Sequence, residues 1–292
     1  MEIQALGKMQ GGQDGALWEN FLFRLDRSGN CSVYDLANLQ KGEDGSFLPQ
    51  ETFLVDKADV LLPHSNSVMF GAFYHKSDRF PLLYTNIYNN YRDCEEKRKG
   101  ITCAYRILEE DGKFSCRLVQ VIEIGFTEDP VWRSEAVEDV RPYGNFVIDR
   151  ENAVYYAFTM RDEDETMRFF SFDLPKPTDG VYNEAFGANH VVLKKDSVQT
   201  AFSAPYQRYV QGASFYKGKI YSLAGFTVKT DSPKNPPAMR IFDAKDGAVL
   251  GDFDFRDYGM IREPEFIDFW DDTCYYSDCG GNFYRLKFKT AE

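Results

Sequence analysis

Apolar residues along this chain alternate with polar ones or run in short bursts, and turn residues punctuate them about every ten positions. Helical spacing is nearly absent. This pattern predicts many antiparallel strands and an all-β fold. Strands are expected at FLFRLD (21–26), CSVYDL (31–36), RLVQVIEI (117–124), GNFVID (144–149), AVYYAFTM (153–160), KIYSLAGF (219–226) and NFYRLKF (282–288). The segments DRSGN (26–30), EEDGK (109–113), DAKDG (243–247) and SDCGGN (277–282) are the predicted turns. Asp, Asn and Gly suit them because they tolerate the positive φ of tight hairpins.

Grouping the strands reveals a longer period. Each group opens on a polar cluster, followed by an apolar strand, an aromatic-rich strand, a strand of the VYDL or RIFDA type, and an edge strand. Asp14, Asn66, Tyr143, Gln211 and Glu265 mark the five openings, at spacings of 52, 77, 68 and 54 residues. The third strands also correspond: VYDL (33–36), AYRIL (104–108), FFSFDL (169–174), MRIFDA (239–244) and FYRLKF (283–288). The last unit is one strand short, and the N-terminal MEIQALGKM supplies the missing outer strand. The fold predicted is therefore a five-bladed β-propeller, one domain over residues 1–292, closed by pairing residues 2–9 with 282–288. Closure leaves no open sheet edge. A β-sandwich would need neither five copies of one strand order nor a truncated last copy.

Composition adds to this picture. Aromatics reach 16%, with 25 Phe and 18 Tyr, which suits layers of sheet packed face to face. The net charge of −12 disfavours nucleic acid and anionic membrane surfaces as partners. No basic and apolar leader opens the chain, and no apolar run is long enough to span a bilayer, so a soluble, cytoplasmic protein is expected. The six cysteines contain no CxxC pair, and free thiols packed in sheets are expected, with no metal site and no cofactor. Cys274 and Cys279 flank a predicted turn and are the one pair considered for oxidation. The acidic run RDEDE (161–165) lacks the ligand spacing of a calcium loop and reads as a hairpin tip.

In a propeller the first strand of every blade lines the central channel, so the polar openings converge at its mouth. The predicted ligand-binding residues are Gln13 and Asp14, His64 and Asn66, Arg141, Tyr143 and Asn145, Gln211, and Glu263 and Glu265. Trp18, Trp132 and Trp270 are the candidates for a stacking wall. Pro264 forces an extended backbone between Glu263 and Glu265, so both carboxylates point one way. The mouth is expected to hold a glycan or a small polar metabolite. The alternative is glycoside hydrolysis by paired carboxylates among Asp14, Glu263 and Glu265. The long connections 91–100, 126–138 and 175–190 are candidate contact sites for a protein partner. No P-loop, nucleophile elbow or dinucleotide fingerprint occurs.

The motifs VQGASFYKGKIYSLAGF (210–226) and REPEFIDFWDD (262–272) resemble elements of a propeller family that includes the teichoic acid biosynthesis protein C type and phage receptor-binding propellers. Helveticin-like bacteriocins are more distant members. The resemblance covers about the last third of the chain, and Phe266 stands where that family has Gly after EPE. It implies binding of a cell-wall polymer or another glycan at the channel face, with Gln211 and Glu265 as the matching positions.

Overall fold

The computed structural model describes residues 1–87, 100–126, 145–158, 166–207, 209–226 and 235–288. The chain opens with β1 (Glu2–Lys8). The first blade is β2 (Gly15–Trp18), β3 (Phe21–Leu25), β4 (Asn30–Asp35) and, after the short β5 (Gln40–Lys41) and β6 (Phe47–Leu48), β7 (Glu51–Leu54). The second is β8 (Val68–Tyr74), β9 (Pro81–Asn86), β10 (Ile101–Glu110) and β11 (Lys113–Ile124). The third is β12 (Asn145–Asp149), β13 (Val154–Phe158) and β14 (Thr166–Asp173), then, beyond β15 (Val181–Asn183) and β16 (Ala188–Leu193), β17 (Thr200–Pro205). The fourth runs β18 (Val210–Tyr216), β19 (Lys219–Ala224), β20 (Ala238–Asp243) and β21 (Val249–Asp254). The fifth has β22 (Pro264–Trp270), β23 (Thr273–Asp278) and β24 (Asn282–Lys287). The fold is a five-bladed β-propeller. The ring closes as expected, because β1 pairs antiparallel with β24, Glu2 opposite Lys287 and Lys8 opposite Asn282.

Neighbouring inner strands splay apart and share no backbone ladder, so their N–H groups need other acceptors. Side chains from the preceding blade supply several of them. Val68 N–H donates to Asp14 Oδ2 (2.9 Å), Phe146 N–H to Ser67 Oγ (3.3 Å) and Leu17 N–H to Asp268 Oδ2 (2.8 Å). The QG dipeptide at 211–212 has a related cause. A Cβ at Gly212 would lie 2.6 Å from the Glu265 carbonyl oxygen, so only glycine lets β18 approach β22 that closely.

The core is a series of wedges between blades. Aromatic pairs cross them: Phe23 with Phe70 (5.3 Å between centroids), Phe169 with Phe242 (5.5 Å), and Tyr216 stacked on Phe269 (4.2 Å). Each such pair adds about 0.5–1.5 kcal/mol beyond its buried area. Phe266, the departure from the family motif, is fully buried with Met9, Leu17 and Phe283 where the ring closes.

One connection is more ordered than expected. Residues 175–190 form no irregular loop, and Val181 and Tyr182 on them stay exposed. The connection leaves the third blade and folds into the β15–β16 hairpin, and β16 runs parallel to β11 on the outer edge of the second blade. Gln120 Nε2 fastens it by donating to the carbonyls of Lys176 (2.7 Å) and Asp179 (3.2 Å). His190 Nε2 lies 2.8 Å from Glu123 Oε2. Of the other two connections, 91–99 and 127–138 lie outside the described residues.

Among the described residues Cys31, Cys103, Cys116, Cys274 and Cys279 are free thiols. Cys274 sits near the start of β23 and Cys279 just beyond its end. Five extended residues separate them by about 16 Å. That is well beyond disulfide reach, so oxidation of this pair is ruled out in the folded ring. No helix among the described residues is long and apolar enough to cross a membrane.

Candidate functional site

Eight of the ten predicted mouth residues are described, and Arg141, Tyr143 and Trp132 lie outside the described residues. The eight come together. His64 Nε2 is 3.0 Å from Gln13 Oε1, and Gln13 Nε2 donates to Glu265 Oε1 at 3.4 Å. Glu263, two residues from Glu265, accepts from Gln211 Nε2 at 2.6 Å. Gln211 Oε1 accepts from Asn66 Nδ2 (2.9 Å), and the Asn66 backbone N–H donates to Asn86 Oδ1 (2.9 Å). Asn86 Nδ2 in turn reaches Asn145 Oδ1 at 3.5 Å. This chain of polar groups draws on all five blades. Asp14 adjoins it through Gln13.

Burial governs the electrostatics. Asp14 and Glu265 are almost completely buried. Removal from water pushes the Asp14 carboxyl well above the usual carboxylate range, against hydrogen bonds from the Gly15 and Val68 backbone. Burial also pushes Glu265 up, and the neighbouring Glu263 adds to the effect while Arg24 opposes it. Arg24, likewise buried, is itself lowered by desolvation and held up by Glu265, Tyr34, Asp278 and Asp14. In the described part Arg24 is the cation beside these acids.

Several buried polar atoms of this cluster have no partner among the described residues: Asp14 Oδ1, Asn66 Oδ1, Asn145 Nδ2 and Glu265 Oε2. Unmatched buried atoms occur elsewhere too, among them the Tyr84 and Tyr105 hydroxyls, and here four of them lie in one cluster. Both donors and acceptors are represented, as for a ligand that offers both.

Arg24 and Asn86 were not among the sequence candidates. Arg24 had a legible signal, a single charge inside the apolar strand FLFRL. Asn86, the last residue of the apolar β9, carried none. The tryptophan wall is corrected. Trp18 and Trp270 end their inner strands, at the opposite end of the channel from the mouth. Trp18 packs there under the Arg150 guanidinium (5.8 Å) and against Tyr74. The aromatic pair beside the mouth is Tyr209 and Phe226, stacked at 5.5 Å next to Gln211.

No family model matches the chain, so the teichoic acid family gains no support, and no curated protein matches either. Solved structures do. Glutaminyl cyclase of Myxococcus xanthus aligns over 98% of this chain and 94% of its own at 8% identity and a TM-score of 0.50. Virginiamycin B lyase of Staphylococcus aureus aligns over 99% of both chains at 10% identity and a TM-score of 0.43. An exo-β-1,3-galactanase of Phanerochaete chrysosporium aligns over 98% of this chain and 64% of its own at 11% identity and a TM-score of 0.47. The neighbours are β-propeller proteins. At 8% identity the glutaminyl cyclase alignment speaks for the fold alone.

Proposed function

We propose that this protein is a ligand-binding propeller whose channel mouth takes a glycan or another small polar metabolite. The observation that carries the reading is the set of unmatched buried polar atoms on Asp14, Asn66, Asn145 and Glu265, all in one connected cluster. Amide side chains dominate it. They offer donors and acceptors without a net charge, which suits hydroxyl-bearing ligands. The Tyr209–Phe226 stack adds an apolar face of the kind a sugar ring packs on. A thermal-shift screen of glycans and polar metabolites tests the proposal. A hit is expected to be lost in Gln211→Ala and Asn66→Ala, and a screen with no stabilising ligand overturns the reading.

The hydrolase alternative is less well supported. Glycoside hydrolysis needs one carboxyl protonated and the other ionised across the scissile bond. Burial pushes Asp14 and Glu265 in the same direction, not apart. Aryl-glycoside hydrolysis by the parent protein that is abolished in Glu265→Gln would replace the binding reading with this one.

A further inference from the structure

A second candidate lies beside the crossover that carries the chain from β1 to β2. There a cavity of about 100 Å³ is lined by Gln10, Gly11, Gly12, Arg24, Asp26 and Tyr34, among others. Arg24 is 2% exposed. Its Nη2 donates to the carbonyls of Asp278 (3.1 Å) and Gly12 (3.4 Å), while Nε and Nη1 find no protein acceptor. The Tyr34 hydroxyl oxygen accepts the Gln10 N–H at 3.3 Å. Among the described residues, the Gly11 and Gly12 N–H groups donate to no protein group. The acceptors are already committed. Asp26 receives the Ser28 and Asn30 N–H groups and Asn30 Nδ2, at 2.7, 2.9 and 2.8 Å.

Consecutive backbone N–H groups beside a guanidinium form a concavity suited to an anion. Both glycines are required by close approach. A Cβ at Gly11 would lie 2.7 Å from the Cys279 carbonyl oxygen, and one at Gly12 would lie 3.0 Å from Arg24 Nε and from the Leu25 carbonyl. The charge count selects the kind of anion. Arg24 already faces Asp278 and the buried Glu265 and Asp14, and Asp26 lines the cavity, so the surroundings penalise more than one further negative charge. A carboxylate fits this balance better than a dianionic phosphate.

We propose that this cavity is a second binding site, distinct from the mouth, for the carboxylate group of a small organic acid. The test titrates the full chain with sodium acetate, with sodium chloride at matched ionic strength as control and sodium phosphate as a competing arm. Melting temperature and calorimetric heat are the readouts. Acetate is expected to raise the melting temperature saturably where chloride does not, and phosphate to bind more weakly. Tyr34→Phe removes one donor to a charged ligand and is expected to raise the half-saturation point about tenfold. Gly12→Ala, which crowds Arg24 Nε, is expected to abolish saturation, and Gln211→Ala at the mouth to leave it intact. An acetate response no different from chloride overturns the proposal. So does saturation unchanged in Tyr34→Phe, which keeps its ring and its packing and decides the matter even if Gly12→Ala does not fold. Phosphate binding tighter than acetate overturns the assignment to a carboxylate.

Discussion

The two ends of the central channel each carry buried acids, and their surroundings differ. At the far end Asp268 accepts from Leu17 N–H (2.8 Å), from Ser214 Oγ (2.8 Å) and from Arg150 Nη2 (3.3 Å). Arg150 also donates to the Phe70 carbonyl at 2.8 Å and lies over Trp18. Both oxygens of Asp268 are engaged, and the network ties together blades one, three, four and five, with Phe70 bringing in the second. At the mouth, Asp14 and Glu265 each keep one oxygen without a protein partner, and Asn66 and Asn145 each keep one amide atom so. A saturated buried network stabilises and fixes geometry, whereas a half-saturated one costs stability unless something else completes it. The far end is thus a structural knot, and the mouth is left with unmatched buried groups.

That contrast is open to attack. Asp268→Ala should have the largest effect. It strands a backbone N–H, a hydroxyl and a guanidinium in the channel, for a loss of about 3–5 kcal/mol measured by urea unfolding. A loss under about 1 kcal/mol would show that the knot is not structural. Arg150→Met removes one donor and the cation over Trp18, and should cost about 1–2 kcal/mol in the same experiment. Gln211→Ala and Asn66→Ala at the mouth should each cost about 1 kcal/mol of stability or less, because the cluster is incomplete before the change. Their larger effect should fall on ligand affinity.

The smallest effect concerns pH. Glu265 has its folded value raised above its unfolded one, so the folded state holds the proton more tightly. Its contribution to stability is full below the ordinary carboxylate range and is lost as pH rises through the raised value. Unfolding midpoints of the parent protein should therefore decline as pH rises above the ordinary carboxylate range, and Glu265→Gln should flatten part of that decline. A variant with an unchanged slope would place the buried proton elsewhere, with Asp14 as the first alternative.

Much of the architecture was legible in the chain. Strand periodicity, the five polar openings and the short last unit led to the blade count and the closure by β1, because strand alternation and turn chemistry are local properties. The mouth was legible in the same way. One polar opening per blade must converge if the blades form a ring, and Gln13, Asp14, His64, Asn66, Asn145, Gln211, Glu263 and Glu265 do meet. The repeat also concealed something. It treated 175–190 as a connection inside the third blade, whereas the β15–β16 hairpin pairs with the second. Strand pairing between blades leaves no periodic trace, since the partner edge on β11 is distant in sequence. The tryptophans were misplaced because nearness in sequence to an opening residue says little in an extended chain. Four residues along β2 carry Trp18 about 13 Å from Asp14.

The sequence alone determined that there would be strands, how many blades, where the ring would close and eight of the residues that meet at its mouth. Tertiary structure decided which buried acids are saturated and which are not. Asp14 and Asp268 are the same residue type on inner strands of adjacent blades, and nothing in their flanking sequence separates them. Their difference arises from partners 54 or more residues away, Ser214 and Leu17 around Asp268 and Val68 on one oxygen of Asp14. Hydrogen-bond satisfaction is a property of three-dimensional neighbours, and only the closed ring supplies them.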